Sequence, residues 1–239
     1  PAAVRAGASF LCRARAVRID DADKDIKRVH VRVLDERGYH EIGETEVRAP
    51  VVILAANAVG SSHLALQSGL GGPHAGLHLS LQPQLPVVAR FDEVMQSSRG
   101  IPQAYAITEH EHVDDAHGLW GFRVEAIMGT PGIVASLLPR VGAPAKTAML
   151  DYNHLVASLV LVPDHPDGTV GSTSKGRVRI DYAHAENHKA RMREGAKVAA
   201  RAYLAAGARE VEVPMHRTVL VQSERDLAKI DAIPFEPCT

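Results

Sequence analysis

The sequence predicts an α/β fold in its first part and an α+β fold in its second part. A continuous apolar run over residues 51–56, followed by small residues and a short helix, is typical of a strand buried in a parallel sheet. Beyond about Pro86, short strand-like stretches alternate with loops containing glycine and proline, which indicates an antiparallel sheet. One long helix is expected over residues 184–206, because its apolar residues recur at steps of three and four.

Two strand patterns precede the apolar run. Residues 6–19 are predicted to form a first strand, because Phe10, Cys12, Ala14 and Ala16 occupy alternate positions. In residues 28–34, three valines alternate with polar or charged residues. A turn is predicted at 36–38, and residues 39–47 are predicted to form the return strand. This second pattern predicts a hairpin with one face in water.

A short helix is expected after residues 51–56. Ser61 or Ser62 can cap its start by accepting a hydrogen bond from a free backbone N–H, and Gly69 can end it in a left-handed conformation. A strand that enters a helix through small residues is how α/β sheets approach a nucleotide phosphate. The same corner also occurs without a ligand, so the residues by themselves leave both interpretations open.

The second part is expected to contain four longer strands. These are residues 87–91, 122–128, 157–162 and 177–182. Turns are predicted at 167–168 and 175–176, where glycine follows aspartate or lysine. Gly207 is expected to stop the long helix, and residues 210–213 read as a short strand.

Composition excludes several classes of function. The chain of 239 residues carries a formal net charge of −1, so no global field favours nucleic acid or an anionic membrane. Aromatic residues make up 4%, too few for a base-stacking surface. The two cysteines form no CxxC pair, and no run of 18 apolar residues predicts a membrane span. The compartment stays open, with a soluble cytoplasmic protein favoured.

Two histidine-containing groups consist of residue types that commonly bind metal ions. The first comprises His110, His112, Asp114, Asp115 and His117. Its segment is polar and offers no regular ligand face, so a solvated loop is favoured. His184 and His188 stand one helical turn apart with no third ligand to name, so exposed helix residues are favoured. No metal site is predicted.

Glu125 is the one candidate for a catalytic side chain. It lies among apolar residues of the expected strand 122–128. A carboxylate on the substrate-facing side of a sheet can act in proton transfer. The alternative, which we favour, is that Glu125 points to water between inward neighbours.

Residues 57–71 resemble the second signature of the glucose–methanol–choline (GMC) family of oxidoreductases. The matching positions are Ala58, Ser61, Leu66, Ser68, Gly69, Leu70 and Gly71. Asn57 replaces the family's glycine or serine, and Ser62 stands where the family has proline. Residues 14–19 resemble the strand whose valine backbone, here that of Val17, holds the adenine of FAD, and 51–56 resemble the family's apolar strand.

Later segments resemble one branch of the family, the long-chain alcohol oxidases and their bacterial relatives. The segments are residues 129–132, 137–139, 176–178, 180–182 and 205–208. Residues 76–83 resemble a further family stretch, with Gln82 in place of a histidine.

The resemblance implies a flavoenzyme that oxidises a small, hydrophobic alcohol by hydride transfer to FAD. Residues 1–88 would form part of a Rossmann-like FAD-binding domain, and residues 89–239 most of an antiparallel substrate-binding domain with a long helix. The side chains and backbone expected to touch FAD are those of Val17, Ala55, Ala56, Asn57, Ala58 and Ser61.

Two departures from the family pattern bear on function. The chain has no Gly-x-Gly-x-x-Gly turn for the FAD pyrophosphate, and the motif with the family's catalytic histidine would follow Thr239. An interior portion of the enzyme is therefore expected, completed by the rest of the same polypeptide or by a partner chain. A non-catalytic binding module and one subunit of a split enzyme remain alternatives. Since few helices are available to cover strand 51–56, an exposed apolar surface is also predicted.

Overall fold

The computed structural model describes residues 2–114, 119–138, 140–183, 185–215 and 217–234. The chain forms two compact units, Pro1–Ser80 with His165–Ala183 (unit 1) and Leu81–Asp164 with His184–Thr239 (unit 2). In the described ranges, no helix combines the length and apolar character needed to cross a membrane.

The strands are β1 (Ala14–Asp20), β2 (Lys27–Leu34), β3 (Glu41–Ala49), β4 (Gln84–Arg90), β5 (Ala106–Ile107), β6 (His112–Asp114), β7 (Leu119–Trp120), β8 (Arg123–Ala126), β9 (Leu155–Leu161), β10 (Thr169–Ser172), β11 (Val178–Asp181), β12 (Glu210–Val213) and β13 (Val219–Val221). The α-helices are α1 (Ala2–Arg5), α2 (Asn57–Gln67), α3 (Pro131–Leu137), α4 (Ala143–Leu150), α5 (Glu186–Ala205) and α6 (Ala228–Ala232).

Unit 1 is built on a three-stranded antiparallel sheet in the order β1-β2-β3. The expected hairpin is present as β2 and β3, and Gly38 takes a positive φ of 77° in its turn. The expected first strand is present only from Ala14 onwards. Pairing with β2 starts at Ala14 opposite Val33, and the Leu34 N–H at the end of β2 donates to the Arg13 carbonyl, so β2 does not extend beside residues 6–12.

Residues 51–56 form no strand, so the strand expected there is wrong for this chain. Within the described part of the chain, no strand pairs with this segment. Val51 and Ile53 are 71% and 83% exposed. A β-strand is defined by backbone hydrogen bonds to an adjacent strand, and no adjacent strand pairs with residues 51–56 in the described part of the chain. The exposed apolar surface expected from the sequence is present.

A distant hairpin, β10 and β11, completes unit 1. The Val170 N–H donates to the Gly76 carbonyl at 2.7 Å, and Leu79 pairs with Gly168. Gly76 has a φ of 76°, and a Cβ there would stand 2.2 Å from the Val170 carbonyl oxygen. Only glycine fits this close approach, which attaches residues 165–183 to the first part of the chain.

Unit 2 contains a six-stranded antiparallel sheet in the order β13-β12-β4-β9-β8-β5. Alternating residues of β4 separate its two faces. Val87 and Ala89 pack in a cluster with α5, whereas Val88 packs in a second cluster with residues of α3 and α4. This arrangement confirms the antiparallel α+β character expected of the second part.

Helix α5 confirms the expected long helix and its termination at Gly207, whose φ is 95°. Gly195 allows the helix to approach β9, because a Cβ at that position would lie 2.2 Å from Val160 Cγ1. His188 is only 1% exposed, so the expectation of an exposed residue there is wrong: its face of α5 points into unit 2. His184 lies outside the described residues.

The functional division into residues 1–88 and 89–239 stays a prediction. The compact units place 81–88 with the later strands, since β4 pairs along its length with β9.

Candidate functional site

The corner at residues 55–61, where the chain enters α2, is the candidate site. Asn57 adopts a left-handed conformation with a φ of 56°. Its Oδ1 accepts hydrogen bonds from the N–H groups of Val59 at 2.9 Å and Gly60 at 3.1 Å. Asn57 therefore caps the first turn of α2, because asparagine both tolerates this backbone and supplies the acceptor. The helix begins at Asn57, earlier than expected, so neither serine precedes it, but Ser61 does accept a hydrogen bond from a free backbone N–H, as expected.

Ser61 closes the turn that precedes the helix. Its Oγ accepts a hydrogen bond from the Ala56 N–H at 3.0 Å. A Cβ at Gly60 would lie 3.0 Å from Ala56 Cβ, so the turn is tightly folded on small residues. Of the residues expected at the site, Ala56, Asn57 and Ser61 take part in these hydrogen bonds, and Ala55 and Ala58 adjoin them in sequence.

The corner is open and carries helix-terminal donors. Residues 55–58 are exposed, and their side chains are small. A helix start leaves four amides without intrahelical carbonyl partners, and Asn57 satisfies two of them. The remaining amides, together with the positive end of the helix dipole, favour an anionic or polar ligand group.

Val17 lies in a β-bulge. Ala16 pairs with Val31 and Arg18 pairs with His30, so two consecutive residues of β2 face three of β1. Val17 is the additional residue, and its backbone is left out of the register between the two strands. A bulge of this kind leaves backbone groups available to a ligand.

Ser68 connects the strand that carries Val17 to the helix that starts at the corner. Its Oγ accepts from the Ile19 N–H at 2.9 Å and donates to the Leu64 carbonyl at 2.7 Å. Gly69 follows with a φ of 66° and ends α2, as expected. The sequence contained Ser68 as part of the family signature but gave no sign of this bridging role.

Glu125 lies in β8 of unit 2, opposite Leu159 of β9. Arg123 Nη1 donates to its Oε1 at 3.1 Å, and Arg123 also pairs with Glu111. The hydrogen bond from Arg123 lowers the pKa of the Glu111 carboxyl. The Glu125 carboxylate thus has a cationic partner on its own strand, and its side chain is 18% exposed.

The histidine-rich segment does not assemble a metal centre from its described residues. His110 stacks on Phe122 with ring centroids 4.9 Å apart, and His112 lies in β6. Asp115 and His117 lie outside the described residues. In the ranges that the structure covers, no group of three or more histidine, cysteine, aspartate or glutamate side chains is arranged to hold a metal ion.

Comparison with known proteins identifies relatives. No protein-family model matches the chain. Over 214 residues, which are 88% of this chain, it is 32% identical to uncharacterized GMC-type oxidoreductases of two Mycobacterium tuberculosis strains. The matched region covers 32% of the length of each of these relatives. Over 167 residues, 69% of this chain, it is 28% identical to a long-chain-alcohol oxidase of Arabidopsis thaliana, of which the match covers 22%. The chain thus spans about a third of the length of the mycobacterial relatives, and by this similarity it belongs to the GMC-type oxidoreductase family.

Proposed function

We propose that the chain is part of an FAD-dependent oxidoreductase whose small-molecule substrate is a hydrophobic alcohol. The observation that carries the proposal is the exposed corner of small residues at the start of α2, in a chain similar to GMC-type oxidoreductases. When bound, FAD would supply the acceptor for a hydride from the alcohol carbon. The remaining parts of the site would come from further segments of the same polypeptide or from a partner chain.

The residues at the corner fit a dinucleotide. Ala55, Ala56 and Ala58 have no bulk that would keep a ligand from the backbone, and the helix start offers N–H donors. Asn57 holds the first turn of α2 in place by capping the amides of Val59 and Gly60. The role of these residues in the proposed enzyme is to bind and orient the cofactor.

Val17 fits a second contact with the cofactor. The bulge frees its backbone from pairing with β2, so its N–H and C=O can bind a heteroaromatic edge such as adenine. The Ser68 hydrogen bonds to Ile19 and Leu64 fix β1 relative to α2. Ser68 is therefore proposed as a positioning residue between the two contacts.

The choice of an alcohol as substrate rests on a relative. The Arabidopsis protein with 28% identity over 69% of this chain is a long-chain-alcohol oxidase. The largely aliphatic second half of the chain agrees with a hydrophobic substrate.

The first test is the visible absorption spectrum of the purified full-length protein, recorded before and after denaturation. We expect a flavin spectrum that changes when denaturation releases the cofactor, and anaerobic bleaching of the flavin band on addition of a long-chain alcohol. A colourless protein would contradict the proposal and favour a non-catalytic binding module. A flavin that no alcohol bleaches would contradict the substrate class alone.

A variant localises the cofactor to the corner. Ala58→Phe places a large ring among the exposed small residues, and we expect it to lower the flavin content of the purified protein at least tenfold. The matched control is Gln67→Phe, an exposed position at the other end of α2, where the replacement also removes the hydrogen bond from Gln67 to Ser172. Equal flavin content in the two folded variants would remove the corner from the proposed site.

A further inference from the structure

A pocket in unit 2 lies between α5 and the edge of the six-stranded sheet formed by β9, β8 and β5. Its volume is about 210 Å³. The sheet contributes Ile107 and Val124, and the helix contributes Ala199 and Ala202. Tyr105, which is 84% exposed, lies at its mouth. The proposed cofactor contacts use none of these residues.

Small residues on the helix create the space. Ala199 and Ala202 project where α5 passes over the outer strands, so the helix does not fill the volume above Val124. Tyr203 forms a further wall. The Phe91 ring meets the Tyr203 ring edge-on, with centroids 6.3 Å apart and planes at 76°, which fixes the orientation of the phenol.

Besides the exposed Tyr105, two hydroxyl-bearing side chains, Ser158 and Tyr203, line this largely apolar pocket. Ser158 is 3% exposed and lines the wall beside Tyr203. Its hydroxyl is close enough to interact with the Tyr203 phenol, but it has no partner at the geometry of a normal hydrogen bond. Buried hydroxyls in proteins normally have such a partner, so the pair has capacity to bind one more polar group.

The Tyr203 phenol is protonated at neutral pH, since an unperturbed tyrosine has a pKa of about 10. Burial raises the pKa of Tyr203 to about 12, against a smaller lowering by Ser158, and so extends the pH range in which the O–H is present. The phenol O–H can therefore donate a hydrogen bond to an oxygen atom in the pocket. The serine hydroxyl can act as donor or acceptor.

We propose that this pocket is a binding site for a small, largely apolar molecule with one hydroxyl group, which hydrogen-bonds to Ser158 and Tyr203. A dry apolar cavity of about 150 Å³ is enough to hold benzene, so a volume of about 210 Å³ accommodates a ring with a short substituent. The proposal depends on the pocket alone and requires neither a flavin nor catalysis.

The test uses 2-phenylpropan-2-ol as the probe with the full-length protein. This tertiary alcohol has no hydrogen on its carbinol carbon, so it cannot donate a hydride there, and binding is separated from turnover. Isopropylbenzene, which has the same carbon skeleton without the hydroxyl, is the comparison ligand. Ligand-observed NMR titration is expected to show saturable binding of the alcohol, at least fivefold tighter than that of the hydrocarbon.

Variants assign the binding to the pocket. Ala202→Leu fills the rim from an exposed helix position, and it should weaken binding of the alcohol at least tenfold. Ala190→Leu, also exposed on α5 but not part of the pocket, is the matched control and should bind as wild type does. Ser158→Ala and Tyr203→Phe should each reduce the preference for the alcohol over isopropylbenzene.

Three outcomes would overturn the proposal. These are absence of saturable binding, unchanged binding by a folded Ala202→Leu protein, and an unchanged preference for the hydroxyl in both hydroxyl-deletion variants. Because the probe is not oxidised at its carbinol carbon, a protein that lacks flavin could still bind it, and a flavoenzyme could fail to do so. Failure of this proposal and failure of the proposed function are therefore distinguishable.

Discussion

Asn57 combines two properties that few residues share. Its backbone is left-handed, and its side chain caps the first turn of α2. Alanine would lose the cap, at about 1 kcal/mol, and would pay about 1–2 kcal/mol for the left-handed backbone. Glycine loses the side chain but adopts this backbone freely, and at a cap it costs only a few tenths of a kcal/mol.

Asn57→Ala is therefore expected to destabilise the protein by about 2 kcal/mol, and Asn57→Gly by less than about 1 kcal/mol. Urea unfolding followed by circular dichroism measures both. If the two variants lost the same stability, the left-handed backbone would have no part in the effect.

Glu125→Gln tests the one carboxylate that the sequence proposed for catalysis. Because Arg123 already pairs with Glu125, we expect a structural role and a change of less than about twofold in the rate of alcohol-dependent flavin reduction. Loss of a proton acceptor usually lowers a rate by about 10²–10⁴. A loss of that size, with flavin content unchanged, would make Glu125 a catalytic residue.

At the scale of elements, the contact of α5 with β9 depends on Gly195. A methyl group there would overlap Val160 and approach Phe122 Cδ2 at 3.1 Å. Gly195→Ala gains about 1 kcal/mol of helix propensity but overpacks the core, which commonly costs about 1–3 kcal/mol. Because the added Cβ would overlap Val160, we expect a cost near the upper end of this range and a net destabilisation of up to about 2 kcal/mol, measured by thermal or urea unfolding.

The double variant Gly195→Ala with Val160→Ala controls for this interpretation. Removing the valine methyl groups makes room for the new Cβ, so the double variant should be more stable than the sum of the single effects predicts. Strict additivity would contradict a direct clash.

The short helical segment 224–232 depends on Asp226 and therefore on pH. Lys229, the Gln222 N–H and Ser223 hydrogen-bond to its carboxylate and lower the pKa of Asp226 well below its usual value. A lowered pKa in the folded state means that the stabilisation is complete above the unfolded pKa, about 3.9, and is lost as the pH falls towards the folded pKa.

Asp226→Asn should accordingly lower the melting temperature at pH 6–7, and the difference from wild type should shrink below about pH 4. Differential scanning calorimetry across this range measures the effect. Asp231→Asn, in the same segment, is the comparison for loss of an acidic side chain together with one ion pair, here that with Lys197. A difference that grew on acidification would contradict the sign of the linkage.

At the scale of the whole molecule, unit 1 exposes an apolar segment at residues 51–54. Val51 and Ile53 are 71% and 83% exposed, and Leu54 is 38% exposed. Contiguous apolar surface of this kind usually marks a binding surface. We expect the chain of residues 1–239 to bind an apolar-surface dye strongly in the native state.

Ile53→Ser should lower the dye fluorescence of residues 1–239. Ile101→Ser, which changes an isoleucine that is 82% exposed in unit 2, should lower it less. A native monomer that binds no dye would show that the segment is covered, contrary to this expectation.

Local rules explain what the sequence alone determined. Alternation predicted the hairpin β2–β3, and the three- and four-residue steps predicted α5. Strand-like stretches predicted β4, β8, β9 and β12 of the six-stranded sheet, but β5 and β13 were not predicted, and the strand expected at 177–182 pairs with β10 outside this sheet. Glycines marked the ends of α2 and α5 because a left-handed residue follows each helix. The signature at residues 57–71 identified the family from residue types and spacing, which need no tertiary information.

Tertiary structure decided features that depend on neighbours distant in sequence. The apolar run 51–56 has strand-forming residues, but it needs a strand beside it, and the sequence of the run does not state whether one is present. Burial of His188, the bridge from Ser68 to Ile19, and the pocket beside Tyr203 all depend on which element packs against which. Such contacts follow from the arrangement of the folded chain, because a residue's own neighbours in sequence do not determine its neighbours in space.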